Sequence, residues 1–171
     1  TLPVENRSYF YPSGSLSFLL SELVDIPKVD LLKLRGGYAE VGNDTDPYQL
    51  DTYYNNGGYW GDAIMYGAGS LNTPNLEPER ARSWELGLDM AMFKNRVRFS
   101  GTYYIVENKN QIIRVPISPS SGSSSVGINA GTLESKGYEL SLGLTPIRSN
   151  DWNLDLNFNF TTNESKITAL A

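Results

Sequence analysis

The stretch Trp152-Asn153-Leu154-Asp155-Leu156-Asn157-Phe158-Asn159-Phe160-Thr161 decides the fold. Trp152, Leu154, Leu156, Phe158 and Phe160 fall on one side, and Asn153, Asp155, Asn157, Asn159 and Thr161 on the other. Strict period-two alternation marks a strand with one apolar and one polar face. The pattern recurs upstream. Tyr138, Leu140, Leu142 and Leu144 alternate with Glu139, Ser141, Gly143 and Thr145. Trp84 to Ala91, Val97 to Val106 and Leu32 to Ala39 behave in the same way. A less regular strand runs from about Arg7 to Ser21, with Leu16, Phe18 and Leu20 on one side and Pro12 suited to a strand end. The reading predicts about six strands and no helix.

Composition agrees and excludes much else. The 171 residues contain 11 Tyr and 16 Gly but no Cys and no His. That rules out disulfides, thiolate metal sites, thiol nucleophiles, histidine-ligated zinc and any Ser-His-Asp group. A net charge of -5 argues against a nucleic-acid partner, which wants a basic stripe. The chain does not begin with Met and ends just after a strand-like run, so both ends read as cuts and a longer protein is expected. No apolar run approaches the ~20 residues of a membrane-spanning helix, which leaves a membrane β-barrel open.

The connections carry a second signal. Ser21 to Asp30, Lys94-Asn95 and Pro146 to Asp151 are short; Gly42 to Arg82 and Glu107 to Leu133 are long. Short turns then gather on one side and long loops on the other, the asymmetry of an outer-membrane barrel. The expected fold is all-β, antiparallel and up-and-down; the strand pattern alone leaves a transmembrane β-barrel segment and a soluble sheet equally open. The alternative is a soluble β-sandwich that binds carbohydrate through its loops. The two differ over Leu154, Leu156, Phe158 and Phe160, which a sandwich buries under a second sheet and a lipid-facing sheet leaves exposed.

Longer motifs point to a family. Lys33-Leu34-Arg35-Gly36-Gly37-Tyr38-Ala39-Glu40-Val41-Gly42-Asn43-Asp44 resembles a strand of SusC-like (RagA/SusC) TonB-dependent transporters. Asn75-Leu76-Glu77-Pro78-Glu79, followed by Ser83-Trp84-Glu85-Leu86-Gly87-Leu88-Asp89, resembles a signature shared more widely by these receptors. Asn129-Ala130-Gly131 with Lys136-Gly137-Tyr138-Glu139-Leu140, and the turn Phe93-Lys94-Asn95-Arg96-Val97, are similar to further parts of the same pattern. Order and spacing agree along nearly the whole chain. The resemblance favours the transmembrane β-barrel segment, about six strands of a larger barrel. It implies plugged barrels of about 22 strands in a bacterial outer membrane. It implies TonB-driven import of glycans or oligopeptides, a SusD-like lipoprotein partner and contact with outer-membrane lipid. It implies no enzyme activity and no cofactor. Residues 1–171 would be part of the receptor's β-barrel domain, without the plug or the TonB box. A siderophore-type receptor shares the barrel, but the Val41 to Asp44 stretch argues against it.

The candidate site is the long loop Asp46 to Tyr66, rich in Tyr and Trp beside Asn and Asp. Tyr53, Tyr54, Tyr59 and Trp60 are the expected substrate-binding residues. Aromatic faces stack on sugar C–H faces or on peptide side chains while amides and carboxylates bond polar groups. The competing reading packs these rings within the loop or against a lid protein. Asn75 to Asp89 reads as a structural staple, with Glu79 and Glu85 placed to pair with Arg80, Arg82 or a neighbouring strand. Gly36, Gly37, Gly87, Gly101 and Gly143 read as bends or, following the family resemblance, as close packing against the plug. Asp44, Asp46 and Asp51 lack the spacing of a calcium loop. No catalytic pair or metal site is expected. Ser118 to Ser125 reads as a loop tip.

Overall fold

A computed structural model describes residues 9–44, 50–60, 63–67 and 69–170. The described chain is almost wholly β. Its strands are β1 (Ser13–Leu19), β2 (Val29–Asn43), β3 (Asn55–Trp60), β4 (Ala63–Gly67), β5 (Ser70–Leu71) and β6 (Glu79–Met92). They continue with β7 (Val97–Lys109), β8 (Ile112–Pro116), β9 (Ser125–Asn129), β10 (Thr132–Arg148) and β11 (Asn153–Ala169). Two single 3-10 turns, Leu20–Glu22 and Pro119–Ser121, sit in connections.

The main sheet has six strands in the order β1-β2-β6-β7-β10-β11, each antiparallel to its neighbours. Short turns and long connections alternate along it, as the sequence reading expected. The register carries single rows across the sheet. Phe18, Leu34, Leu88, Gly101, Leu140 and Phe160 form one row; Ser17, Arg35, Gly87, Thr102, Glu139 and Thr161 form the adjacent one. Successive rows point to opposite faces, so the sheet has one apolar and one polar face.

The expected β-barrel segment is corrected here. The sheet is open: among the described residues β1 and β11 are its two edges and no sheet closes. Closure requires both edge strands to find partners at a fixed stagger, and the smallest filled barrels use about eight strands. The strand count also differs from the reading, because the two long connections carry strands of their own. β3 pairs with β4, and β5-β9-β8 form a three-stranded sheet. Several strands outrun their predicted ends. β11 continues to Ala169 because its ladder with β10 survives beyond Thr161, where side chains on both faces turn polar and alternation vanishes.

The core is thin. Among the described residues only Leu76, Ala91 and Ala130 are buried hydrophobic side chains. The apolar row that distinguished the two readings is open, with Phe158 56% and Phe160 60% exposed. No second sheet covers them among the described residues, so the sandwich alternative lacks its defining layer. No helix among the described residues is long and apolar enough to cross a membrane.

Candidate functional site

The polar face of the main sheet is organised around arginines that lie across from glycines. Arg35 is directly opposite Gly87, and Arg98 opposite Gly143. A Cβ at Gly87 would sit 2.6 Å from Arg35 Nε, and one at Gly143 would sit 3.1 Å from Arg98 Nε. These glycines therefore make room for a neighbouring strand's guanidinium; the expectation of bends is replaced by this cross-strand fit. Arg35 reaches Asp89 at 3.3 Å, Lys33 reaches the same carboxylate at 3.4 Å, and Ser100 donates to it at 2.7 Å. Arg35 also donates to Thr102 at 2.7 Å. Near the short-turn end, Thr145 and Asn153 donate to Asp155, which lies 3.9 Å from Arg98. Beside Arg35, a shallow groove of about 290 Å³ is lined by Ser15, Ser17, Gly37 and Glu85. Among the described residues Glu85 takes no ion pair, contrary to expectation.

At the long-connection end the apolar face changes character. Tyr38 packs on Trp84 with ring centroids 4.4 Å apart. The next row carries Glu40, only 8% exposed, which binds Arg80 at 2.9 Å and Arg82 at 3.6 Å and accepts from Tyr38 Oη at 2.9 Å. The arginines expected to meet Glu79 thus belong to Glu40. Glu79 instead accepts from Asn43 Nδ2 and from the Ile112 backbone N–H, each at 2.9 Å. Leu76, 1% exposed, anchors this return segment, which is the staple the sequence suggested. Ahead of β1, Tyr9 has its phenol pKa raised above the ordinary value, chiefly by burial and then by Asp44.

The four expected site residues divide. Tyr53 and Tyr54 lie on the approach to β3 and are 53% and 67% exposed. Tyr59 and Trp60 are on β3, opposite Ile64 and Ala63 of β4 in register; their side chains lie outside the described residues, as do Asp46, Tyr48 and Asp62. The structure places Tyr53 and Tyr54 at the surface. Sequence reasoning missed two asparagines. Asn72 donates from Nδ2 to the Asp51 carbonyl at 2.6 Å and from its backbone N–H to Thr52 Oγ1 at 3.1 Å. Asn129 accepts from the Glu77 N–H at 2.8 Å and donates to the Glu77 and Asn110 carbonyls at 2.8 and 2.9 Å. For Asn129 the one available signal was its place in Asn129-Ala130-Gly131; for Asn72 there was none. Among the described residues no group of acidic side chains could hold a metal ion.

An antiparallel sheet with one exposed apolar face, one polar face and its long connections at one end is the wall type of outer-membrane transport proteins. The chain belongs to the TonB dependent receptor-like, beta-barrel family, which it matches over residues 2–169. Members of that family are nutrient transporters rather than enzymes, and the chain is SusC/RagA-like and located in the bacterial outer membrane. It is 29% identical to TonB-dependent receptor P39 of Formosa agariphila over 98% of its own length and 17% of that protein. It is 28% identical to TonB-dependent receptor SusC of Bacteroides thetaiotaomicron, over 97% of this chain and 18% of that protein. Among solved structures, the RagAB peptide importer in its closed-closed state superposes with a TM-score of 0.87 at 26% identity, covering 99% of this chain and 19% of that one. The chain thus spans 17–19% of the length of these relatives.

Proposed function

We propose that this chain is a segment of a TonB-dependent importer that carries glycans or oligopeptides across the outer membrane. The observation that carries the reading is the match to the receptor family over residues 2–169. In this reading the plug and TonB box lie elsewhere in the protein. TonB supplies the driving force, and a SusD-like lipoprotein meets the long-connection end. The apolar face meets lipid. From Trp84 to Met92, β6 rises about 27 Å before any tilt, close to the roughly 25 Å apolar band of outer-membrane proteins. The polar face, with its Arg, Asp, Ser and Thr groups, borders the wet path.

Tyr53 and Tyr54 are the proposed ligand contacts on the open side, with Tyr59 and Trp60 on the adjoining strand. Two exposed rings beside the polar groups of Asp51 and Thr52 suit a sugar or a peptide equally. The likeness to a protein described as a peptide importer puts oligopeptides first among the ligands to try.

The test is growth. The gene is deleted in its bacterium, and the strain is fed either defined oligopeptides or defined oligosaccharides as sole carbon source. Loss of growth on one class, restored by the intact gene and abolished again without TonB, is the expected result. Unchanged growth and uptake on both classes would overturn the reading.

A further inference from the structure

The two long connections leave the main sheet at different places, after β2 and after β7, yet they are stitched together. β5 of the first runs parallel to β9 of the second, with Ser70 beside Ser125 and Leu71 beside Val126. Ser124 Oγ donates to the Gly69 carbonyl at 2.6 Å, and Thr73 Oγ1 donates to the Gly127 carbonyl. At the foot of the pair sits Asn129. Its amide satisfies both the N–H and the C=O of Glu77, as a strand partner would, and its third bond returns to the Asn110 carbonyl. Asn110 Nδ2 closes the circuit on Glu77 Oε2 at 2.7 Å. At the head, Asn72 follows β5 directly and holds Asp51 and Thr52, the two residues before Tyr53.

We propose that the two long connections form one rigid body locked by Asn129, and that this body positions the exposed Tyr53–Tyr54 pair. The physical basis is the number of independent ties. A lone connection of such length would be expected to sample many conformations. Here each piece borrows backbone partners from the other, so neither moves without breaking several hydrogen bonds. Asn129 is the positioning residue because its loss leaves both backbone groups of Glu77 without their present partner. Asn72 transmits the lock to the aromatic pair. The inference rests on the import reading for its functional consequence but not for its geometry.

Two measurements on the full-length protein test it separately. The first is a spin-label distance between D51C and S120C, one in each connection, in a chain that contributes no Cys of its own. A narrow distribution is expected, broadened by Asn129→Ala and also by Asn129→Asp, whose second oxygen has no N–H to give the Glu77 and Asn110 carbonyls. A control pair on the outer strands, S15C with N159C, should stay unchanged, which separates a loosened lock from unfolding. A distribution that is broad in the parent, or equally narrow in Asn129→Ala, overturns the proposal.

The second is uptake of fluorophore-labelled oligopeptide and oligosaccharide mixtures. Oxidising the pair S70C/S125C, at positions adjacent in the parallel ladder, ties the connections covalently and should leave uptake intact. Asn129→Ala should raise the half-saturation concentration about three- to tenfold, the scale of one or two lost hydrogen bonds, with the maximal rate nearly kept. Uptake blocked by oxidation and restored by a reductant would sink the one-body idea. If the parent takes up neither mixture, the import reading fails, while the distance measurement still decides the lock.

Discussion

At the scale of single residues, the polar face works by matching a missing side chain to a long one. Gly87 and Gly143 stand directly across the ladder from Arg35 and Arg98, and each glycine leaves the volume its partner's guanidinium crosses. Arg35 then spans to Asp89 and Thr102. Gly87→Ala places a methyl where Arg35 now lies, so the arginine must leave its ion pair or the strands must part. The expected cost is about 1–3 kcal/mol, combining overpacking with a lost charged hydrogen bond. Denaturant unfolding of the detergent-solubilised protein measures it. The diagnostic is the double variant: in an Arg35→Ala background the alanine at position 87 should cost almost nothing further. An equal penalty in both backgrounds would show that the glycine serves backbone conformation instead.

At the scale of elements, the turn from β6 to β7 is unusual. Phe93, Lys94 and Asn95 are consecutive left-handed residues, with φ of 57°, 59° and 61°. Each non-glycine residue in that region is disfavoured by about 1–2 kcal/mol. The turn is held by the Phe93 N–H on the Lys28 carbonyl, by the Asn95 N–H on Asp30 at 2.9 Å, and by Arg98 on the Asn95 carbonyl at 3.1 Å. Lys94 is exposed, with no side-chain partner among the described residues. Lys94→Gly removes the Cβ conflict while freeing the unfolded chain, and the net expected gain is about 0.5 kcal/mol. Thermal unfolding in detergent should show a small rise in midpoint; a fall would mean that the turn relaxes in solution.

The same scale shows what a sequence carries and what it does not. Alternation revealed the middle of every main-sheet strand, because burial on one face imposes a period of two. It lost β11 after Thr161, where Thr162, Glu164 and Lys166 replace the apolar row although the ladder with β10 continues to Ala169. Lys33, Arg35 and Asp89 were visible as motif residues, but their ion pairs depend on register, which no single strand encodes. Tyr53 and Tyr54 were legible as aromatics on a polar connection. Asn129 was visible only as part of Asn129-Ala130-Gly131, with no sign of the amide bonds it makes to Glu77, and Asn72 left no pattern at all. The two-residue pairing of β5 with β9 is below any periodicity threshold. The barrel expectation failed for a different reason: closure is a property of how many strands meet, and this chain supplies six to its main sheet.

At the scale of the whole molecule, the apolar face has no protein layer over it among the described residues, yet it is flanked by polar or aromatic rows at both ends. Trp84 packs against Tyr38 with tilted rings at one limit; Phe93 and Trp152, both exposed, lie at the other. In water such a face aggregates; under the proposed import reading it would be covered by lipid tails, an assignment that paired substitutions on β10 test. Leu142 and Ser141 are adjacent on β10 and therefore on opposite faces. Leu142 shares a row with Phe99 and Phe158, and Ser141 with Ser100 and Asn159. Leu142→Arg puts a charge into lipid at a cost of about 2–4 kcal/mol, whereas Ser141→Arg puts the same side chain into the wet interior face. The expected outcome is a sharp fall in outer-membrane assembly for Leu142→Arg and near-normal levels for Ser141→Arg, read by heat-modifiability and surface protease protection. Equal assembly of the two variants would mean that the apolar face packs on protein, and the assignment of its faces to lipid and water would have to be reversed or abandoned.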